Sequence, residues 1–252
     1  MKFGFCRLTD EKRYHADYAE INATAVYEMT DEQFENLKKR VKNGEISPYA
    51  VNGLVPGYVR LTGPEVDLDK IKAYAEKCFG RLSEIGIKIL VFGSSAPKIV
   101  PEGFPMEKAW EQLFEVGKIF SDIAKKNGQT IAVEGLNRSE CNIVNTLDEV
   151  CYYVKKVNRD NFRMLADFYH VYKNGELISD VKKYKDYLVH CHIAGNLERS
   201  VPTEEELPFI KECIDALKEM GYDKTVSFEG NCDMDDVEGI SKMFTTFKKF
   251  AE

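Results

Sequence analysis

No stretch of this 252-residue chain approaches the roughly 20 consecutive apolar residues that a membrane helix needs. The opening MKFGFCRLTDEKRY has too short an apolar core for a secretory signal. Neither membrane insertion nor export is therefore expected. Cys6, Cys78, Cys141, Cys151, Cys191, Cys213 and Cys232 are odd in number, scattered, and free of any CxxC pair. That argues against a disulfide frame and for reduced thiols in a cytoplasmic setting. The net charge is −7 and no basic stripe is visible, so nucleic acid is not an expected partner. The short run Lys38, Lys39, Arg40 reads as the solvated face of an outer helix. No Walker-type glycine loop occurs, which removes the usual nucleotide cradle. Low-complexity segments and long linkers are also missing, so residues 1–252 are expected to form a single domain.

What is present is a regular alternation. Hydrophobic content of 44% and charged content of 31% describe a soluble globular chain. Strand patterns cover Lys2–Cys6, Asp17–Asn22, Tyr49–Asn52, Ile87–Phe92, Thr130–Glu134, Phe162–Asp167, Tyr187–Ile193 and Thr225–Glu229. Helical patterns cover Asp31–Lys42, Asp67–Ile85, Glu107–Lys126, Leu147–Val157, Glu204–Met220 and Val237–Phe250, with two more expected after the first strand and near Leu177–Tyr184. Eight strands alternating with about eight helices imply a parallel sheet with crossover helices. At this length the sheet is expected to close into an α/β (β/α)8 TIM barrel. Thr30 with Gln33, Thr146 with Glu149, and Thr203 with Glu206 have capping-box spacing at three helix starts. Trp110 is expected between its helix and the sheet, and Tyr152 and Tyr153 in packing or at an oligomer surface.

Four apolar runs in the second half each end in a side chain of the metal-binding kind: IAVE at Glu134, RMLAD at Asp167, LVHCH at His192 and TVSFE at Glu229. Successive candidates are 25 to 37 residues apart, close to one βαβ repeat of roughly 30. Each therefore comes from a neighbouring strand and reaches the carboxyl rim of the barrel, where such enzymes keep their chemistry. Mostly oxygen donors with one imidazole form a pocket for one hard divalent cation, Mn²⁺ or Mg²⁺ foremost, with Co²⁺ and Zn²⁺ as further candidates. Cys191 should face away from His192, because side chains alternate along a strand. His190 shares the face of His192, either as a hydrogen-bond donor behind the ligands or as part of the barrel's packed layers. Glu140, His170 and Arg199 lie on loops leaving ligand-bearing strands and are expected to meet a polyhydroxylated substrate, with a surface ion pair to Glu198 or Glu204 as the alternative for Arg199. Asn52, Ser94 and Ser95 follow strands and serve either the substrate or the loops themselves.

These residues resemble the xylose-isomerase-like barrel superfamily, and within it the D-tagatose and D-psicose 3-epimerases and related sugar phosphate isomerase/epimerase proteins. The resemblance covers most of the chain. It is carried by VEGLNRSE with the following NIVNT, by DFYH, by HCHIAGNLER and by SFE. VNGLVPG, LTGPEVD and VFGSSAPKIVPEGF are similar to loops of less characterised relatives. The resemblance implies that Glu134, Asp167, His192 and Glu229 hold one divalent metal. It also implies that Glu140, His170 and Arg199 contact the sugar near the reacting carbons. Arg199 stands one residue further from the histidine than its counterpart in the ketose epimerases. The family further implies a homodimer or homotetramer.

The implied chemistry is removal of a proton from the carbon next to a ketone, with a bound metal stabilising the enediolate. Glu134 and Glu229 are the expected proton carriers, one on each face, while Asp167 and His192 mainly hold the ion. Hydroxypyruvate isomerase, inosose dehydratase or isomerase, and C-glycoside eliminase activities are alternatives on the same site. An apurinic endonuclease shares the fold, but that class needs many histidines and only His15, His170, His190 and His192 exist here. A barrel that binds metal or sugar without turnover is the remaining alternative.

Overall fold

A computed structural model describes residues 1–252. Its eight strands are β1 (Lys2–Phe5), β2 (Tyr18–Asn22), β3 (Pro48–Asn52), β4 (Ile89–Phe92), β5 (Thr130–Glu134), β6 (Phe162–Asp167), β7 (Leu188–Ile193) and β8 (Thr225–Phe228). All neighbours pair in parallel, and β1 pairs with β8, so the sheet closes into a (β/α)8 TIM barrel. The helices are α1 (Ala23–Glu28), α2 (Asp31–Lys42), α3 (Leu68–Glu84), α4 (Met106–Lys126), α5 (Leu147–Val157), α6 (Phe168–Lys173), α7 (Leu207–Glu219) and α8 (Val237–Ala251). No helix is long and apolar enough to cross a membrane.

The expected strands are all present, with small shifts at their ends. β1 stops at Phe5 and β8 at Phe228, leaving Glu229 just past its strand, where its amide still donates to the Ile193 carbonyl. The helix expected after β1 is only a 3-10 turn at Glu11–Tyr14, and that expected near Leu177–Tyr184 is a 3-10 segment at Ile178–Tyr184. Glu204–Met220 divides into a 3-10 turn (Glu204–Glu206) and α7, where Pro208 in the first turn tolerates its missing N–H. Two short helices were not foreseen. α1 starts under a side-chain cap from Asn22, and α6 under one from Asp167. The capping boxes of Thr30 and Thr203 form in full. At Thr146 only the hydroxyl half forms, because Glu149 accepts the amide of Asn145 instead.

Two apolar layers hold the barrel. The larger packs the outer face of the strands against the helices, as with Phe92 against Phe120 and Tyr153. The smaller lies inside the barrel and consists of Tyr18, Ala50, Ile89, Val91, Ala132 and Leu165. The interior toward β7, β8 and β2 is instead polar, with Glu20, His190, His192, Thr225 and Ser227 all buried. An interior normally filled by branched apolar side chains has thus given part of its volume to chemistry. Cys191 faces the outer layer, as alternation requires. Trp110 is half-buried and packs between α4 and α5, against Phe114, Tyr152 and Tyr153, and not under its helix against the sheet. Tyr153 is fully buried and Tyr152 exposed. All seven cysteines are free thiols.

Candidate metal centre

Parallel register brings the strand ends level. Asp167 at the end of β6 pairs with His192 of β7, while Glu134 closes β5 beside Leu165. The side chains of Glu134, Asp167, His192 and Glu229 offer ligand atoms that all lie within 4.8 Å of one another. His192 Nδ1 stands 2.9 Å from Glu229 Oε2, 3.3 Å from Glu134 Oε1 and 4.0 Å from Asp167 Oδ2. The imidazole is fully buried and the Glu229 carboxylate remains the most open of the four.

The donor set fits a cation on two observations. Buried Glu134 Oε1 and His192 Nδ1 have no hydrogen-bond partner, although each has polar atoms close by. A stranded buried polar atom costs about 1–3 kcal/mol, and a shared ion would satisfy both. The second observation is charge. Three carboxylates crowd a space from which water is largely excluded, and a divalent ion is the ordinary counterweight to such a cluster. Three oxygen donors with one imidazole suit a hard or borderline divalent ion.

Protons and Arg199 offset the negative charge of this cluster. Burial raises the pKa of Glu134, and the charges of Glu229 and Asp167 push the same way against the nearby His192 ring. Burial also opposes ionisation of Asp167, but Arg199, His170 and His192 hold it down to about 2. Glu229 likewise falls, because His192 and Arg199 outweigh its desolvation. For His192 burial favours the neutral ring, yet the charges of Glu20 and Glu229 raise its pKa well above the usual range. Arg199 Nη2 donates to Asp167 Oδ2 and to Glu229 Oε2, both at 2.7 Å. Its guanidinium lies over the Tyr169 ring, and its backbone takes a left-handed φ of 47°. A non-glycine residue held there is the kind of local strain that clusters at functional sites.

The other expected residues also converge. His170 is buried, and its Nδ1 accepts from the amide of Asn137 at 3.2 Å. The hydrogen of the neutral ring therefore sits on Nε2, which has no hydrogen-bond partner and lies 3.7 Å from Asp167 Oδ2. Glu140 accepts from Asn137 Nδ2 at 2.7 Å and lies 4.0 Å from Arg199 Nη1. Asn52 Nδ2 donates to Glu229 Oε1 at 3.3 Å. Ser94 and Ser95 serve the loops instead, the first accepting from the Val55 amide and the second donating to the Glu140 carbonyl.

Sequence reasoning missed Glu20. This carboxylate in the middle of β2 is fully buried and accepts from His190 Nε2 at 2.9 Å and from His192 Nε2 at 3.0 Å. Burial opposes its ionisation, but the charge on His192 and hydrogen bonds from both imidazoles hold it well below the ordinary carboxylate range. The signal was available in YAEIN, where a lone acid falls inside an apolar strand. Such a residue is seldom fully buried without a partner. A cavity of about 740 Å³ lies at the opposite mouth among Lys2, Tyr18, Tyr49 and Lys224, and holds none of the ligand candidates.

Known proteins are similar to this chain over most of its length. The D-psicose 3-epimerase of Ruminiclostridium cellulolyticum is 26% identical over 247 residues, which span 91% of this chain and 83% of that protein. An inosose isomerase of Bacillus velezensis is 25% identical over 218 residues, covering 80% and 73% of the two chains. The crystal structure of the IOLI protein with a bound zinc atom superposes with a TM-score of 0.71 at 22% identity, covering 99% of this chain and 96% of that one. The pattern of the xylose isomerase-like TIM barrel matches residues 10–249. The chain is an isomerase-type enzyme and belongs to the xylose isomerase-like TIM barrel family.

Proposed function

We propose that this protein is a divalent-metal-dependent epimerase or isomerase of a ketose or related polyol-derived ketone, working by proton transfer at the carbon beside the carbonyl. The observation that carries the reading is the convergence of Glu134 and Glu229, from β5 and β8, on the one imidazole of His192. Glu134, Asp167, His192 and Glu229 would hold the ion. When bound, it supplies Lewis acidity that favours negative charge on neighbouring substrate oxygens. Mn²⁺ or Mg²⁺ suits the oxygen-rich set, and the zinc in IOLI marks Zn²⁺ as a further candidate on the same fold.

The remaining steps belong to side chains. Epimerisation removes a proton from one face of a carbon and returns it to the other. Two carboxylates on different strands meet that need where a single one does not. Glu134 is the more enclosed of the pair and Glu229 the more open. His170 Nε2 offers an N–H to a substrate oxygen, and its orientation is fixed by the Asn137 amide. Arg199 and Glu140 face the same space and orient hydroxyl groups. Burial of the ligands keeps bulk water from competing for these contacts. Relatives that act on ketoses and inososes support a small polyhydroxylated ketone as substrate. Free thiols throughout suit a reducing compartment such as the cytoplasm.

A panel of ketoses and inososes in D₂O, with Mn²⁺ added, tests the reading. Deuterium should enter the carbon beside the carbonyl with the native enzyme. Glu134→Gln and Glu229→Gln should each lose about 10²–10⁴-fold in rate while still binding metal. Undiminished exchange in either variant would remove that carboxylate from the mechanism.

A further inference from the structure

The polar interior behind the metal centre forms an ordered chain. His192 Nε2 lies 3.0 Å from Glu20 Oε1, and His190 Nε2 lies 2.9 Å from Glu20 Oε2. His190 Nδ1 lies 2.8 Å from Thr225 Oγ1, and Tyr18 Oη lies 2.8 Å from Ser227 Oγ, itself 3.4 Å from His190 Nε2. Glu20, His190, His192 and Ser227 are fully buried, so water does not complete their hydrogen bonding.

Hydrogen-bond logic then places a proton on each of the two Nε2 atoms that face Glu20. An ionised carboxylate only accepts. Both imidazoles must therefore present Nε2–H to Glu20. In the neutral rings that leaves a lone pair on each Nδ1. His190 Nδ1 accepts the hydroxyl hydrogen of Thr225, while His192 Nδ1 faces Glu134, Asp167 and Glu229. Glu20 comes from β2, on the far side of β8 and β1 from β7, so it fixes the ring from across the barrel and not from the ligand's own strand. Cys6 also stands near Glu20 and His192. Glu20 is already committed to the two histidines through both of its oxygens.

We propose that Glu20 is a positioning residue that sets the tautomer and orientation of His192 for metal binding, and that His190, anchored by Thr225, holds Glu20 in place. The inference rests on the reading of Glu134, Asp167, His192 and Glu229 as metal ligands. Outer partners of this kind are commonly worth about 10- to 100-fold in metal affinity. Glu20→Gln is the sharpest probe because it preserves shape. Its amide has one acceptor oxygen, so its NH₂ group must face one of the two Nε2 atoms. Either a donor meets a donor, or that imidazole moves its hydrogen to Nδ1. On His192 that hydrogen would point at the metal ligands.

The test joins Mn²⁺ and Zn²⁺ Kd measurements by chelator competition with ¹⁵N histidine spectra that distinguish Nε2–H from Nδ1–H rings. Circular dichroism checks that each variant is folded. The native protein should show His192 with hydrogen on Nε2, and Glu20→Gln should weaken metal binding about 10- to 100-fold with a changed His192 spectrum. Thr225→Val keeps Glu20 but removes the anchor of His190. It should weaken binding several-fold, and it asks the same question if Glu20→Gln does not fold. A native His192 protonated only on Nδ1 would overturn the inference, as would folded variants with unchanged Kd and spectrum. Metal binding too weak to measure in the native protein, beside an Nε2–H spectrum that Glu20→Gln alters, would sink the metal reading and leave the positioning role of Glu20 standing.

Discussion

Arg199 donates to Asp167 from 2.7 Å, and the same Nη2 reaches Glu229 at the same distance. The guanidinium thus holds the two carboxylates together. A metal would compete with it for the same charge. Replacing Arg199 by Gln should therefore destabilise the ion-free protein by about 3 kcal/mol, the scale for removing one member of a buried ion pair. The same change should tighten Mn²⁺ binding, since a like charge leaves the site. Thermal melts with EDTA and with excess Mn²⁺ check both directions. The ion should raise Tm more in Arg199→Gln than in the native protein, because a ligand that binds only the folded state adds stability by mass action.

Asp167 separates folding from binding within one side chain. Its Oδ1 accepts from the Tyr169 amide at 2.8 Å and caps α6, while Oδ2 faces the ligand cluster. Asn caps helices as well as Asp does. Asp167→Asn should keep α6 while giving up a charged ligand, and Asp167→Ala should lose both. The difference in unfolding free energy between the two variants should be about 1 kcal/mol in favour of Asn, with metal affinity weakened in both. Denaturant melts in EDTA isolate the cap from the ligand.

Most of the barrel was legible because strand and helix patterns differ in period, and one strand recurs with every βαβ unit. Glu134, Asp167 and His192 could be read because each ends an apolar run, and an acid or imidazole there has few other reasons to exist. Glu20 escaped because it sits inside its run, where the eye reads a strand and not an end. Its partners, His190 and His192, lie 170 and 172 residues away in sequence, and only barrel closure brings them together. The helix expected after β1 failed for a local reason. Only twelve residues separate β1 from β2, and a 3-10 turn is what fits. The contacts of Arg199 depend on its left-handed backbone, which spacing from His192 does not reveal.

Gly93 follows β4 directly, and the space where its side chain would project is taken. A Cβ there would lie 1.6 Å from Glu134 Oε2 and 2.7 Å from its Cδ. The obstacle is the far end of a flexible side chain, so the fold can accommodate an alanine by turning the carboxylate aside. Gly93→Ala should therefore cost about 1–2 kcal/mol, at the lower end of overpacking penalties. Its metal affinity should nevertheless fall toward that of Glu134→Ala. Equal metal affinity in Gly93→Ala and the native protein would show that Glu134 is not held where the ion binds.

Lys98 lies fully buried in the loop after β4, its Nζ without a hydrogen-bond partner and 5.4 Å from the centre of the Phe92 ring. Burial lowers its pKa, and the nearby Cys141 and Glu134 offset only part of that shift. A lysine whose folded pKa is depressed works against folding wherever the unfolded chain would be protonated. The penalty is full below the folded pKa. It shrinks as pH rises toward the ordinary lysine value of about 10.4. Lys98→Met keeps the chain length, removes the charge and packs against Phe92. It should be more stable than the native protein by about 1–3 kcal/mol at pH 7, and this advantage should narrow as the pH approaches 10. Paired urea melts from pH 7 to pH 10 measure the difference directly. An advantage that stays constant across that range would mean that the folded amine keeps its proton up to pH 10, so that burial does not depress its pKa.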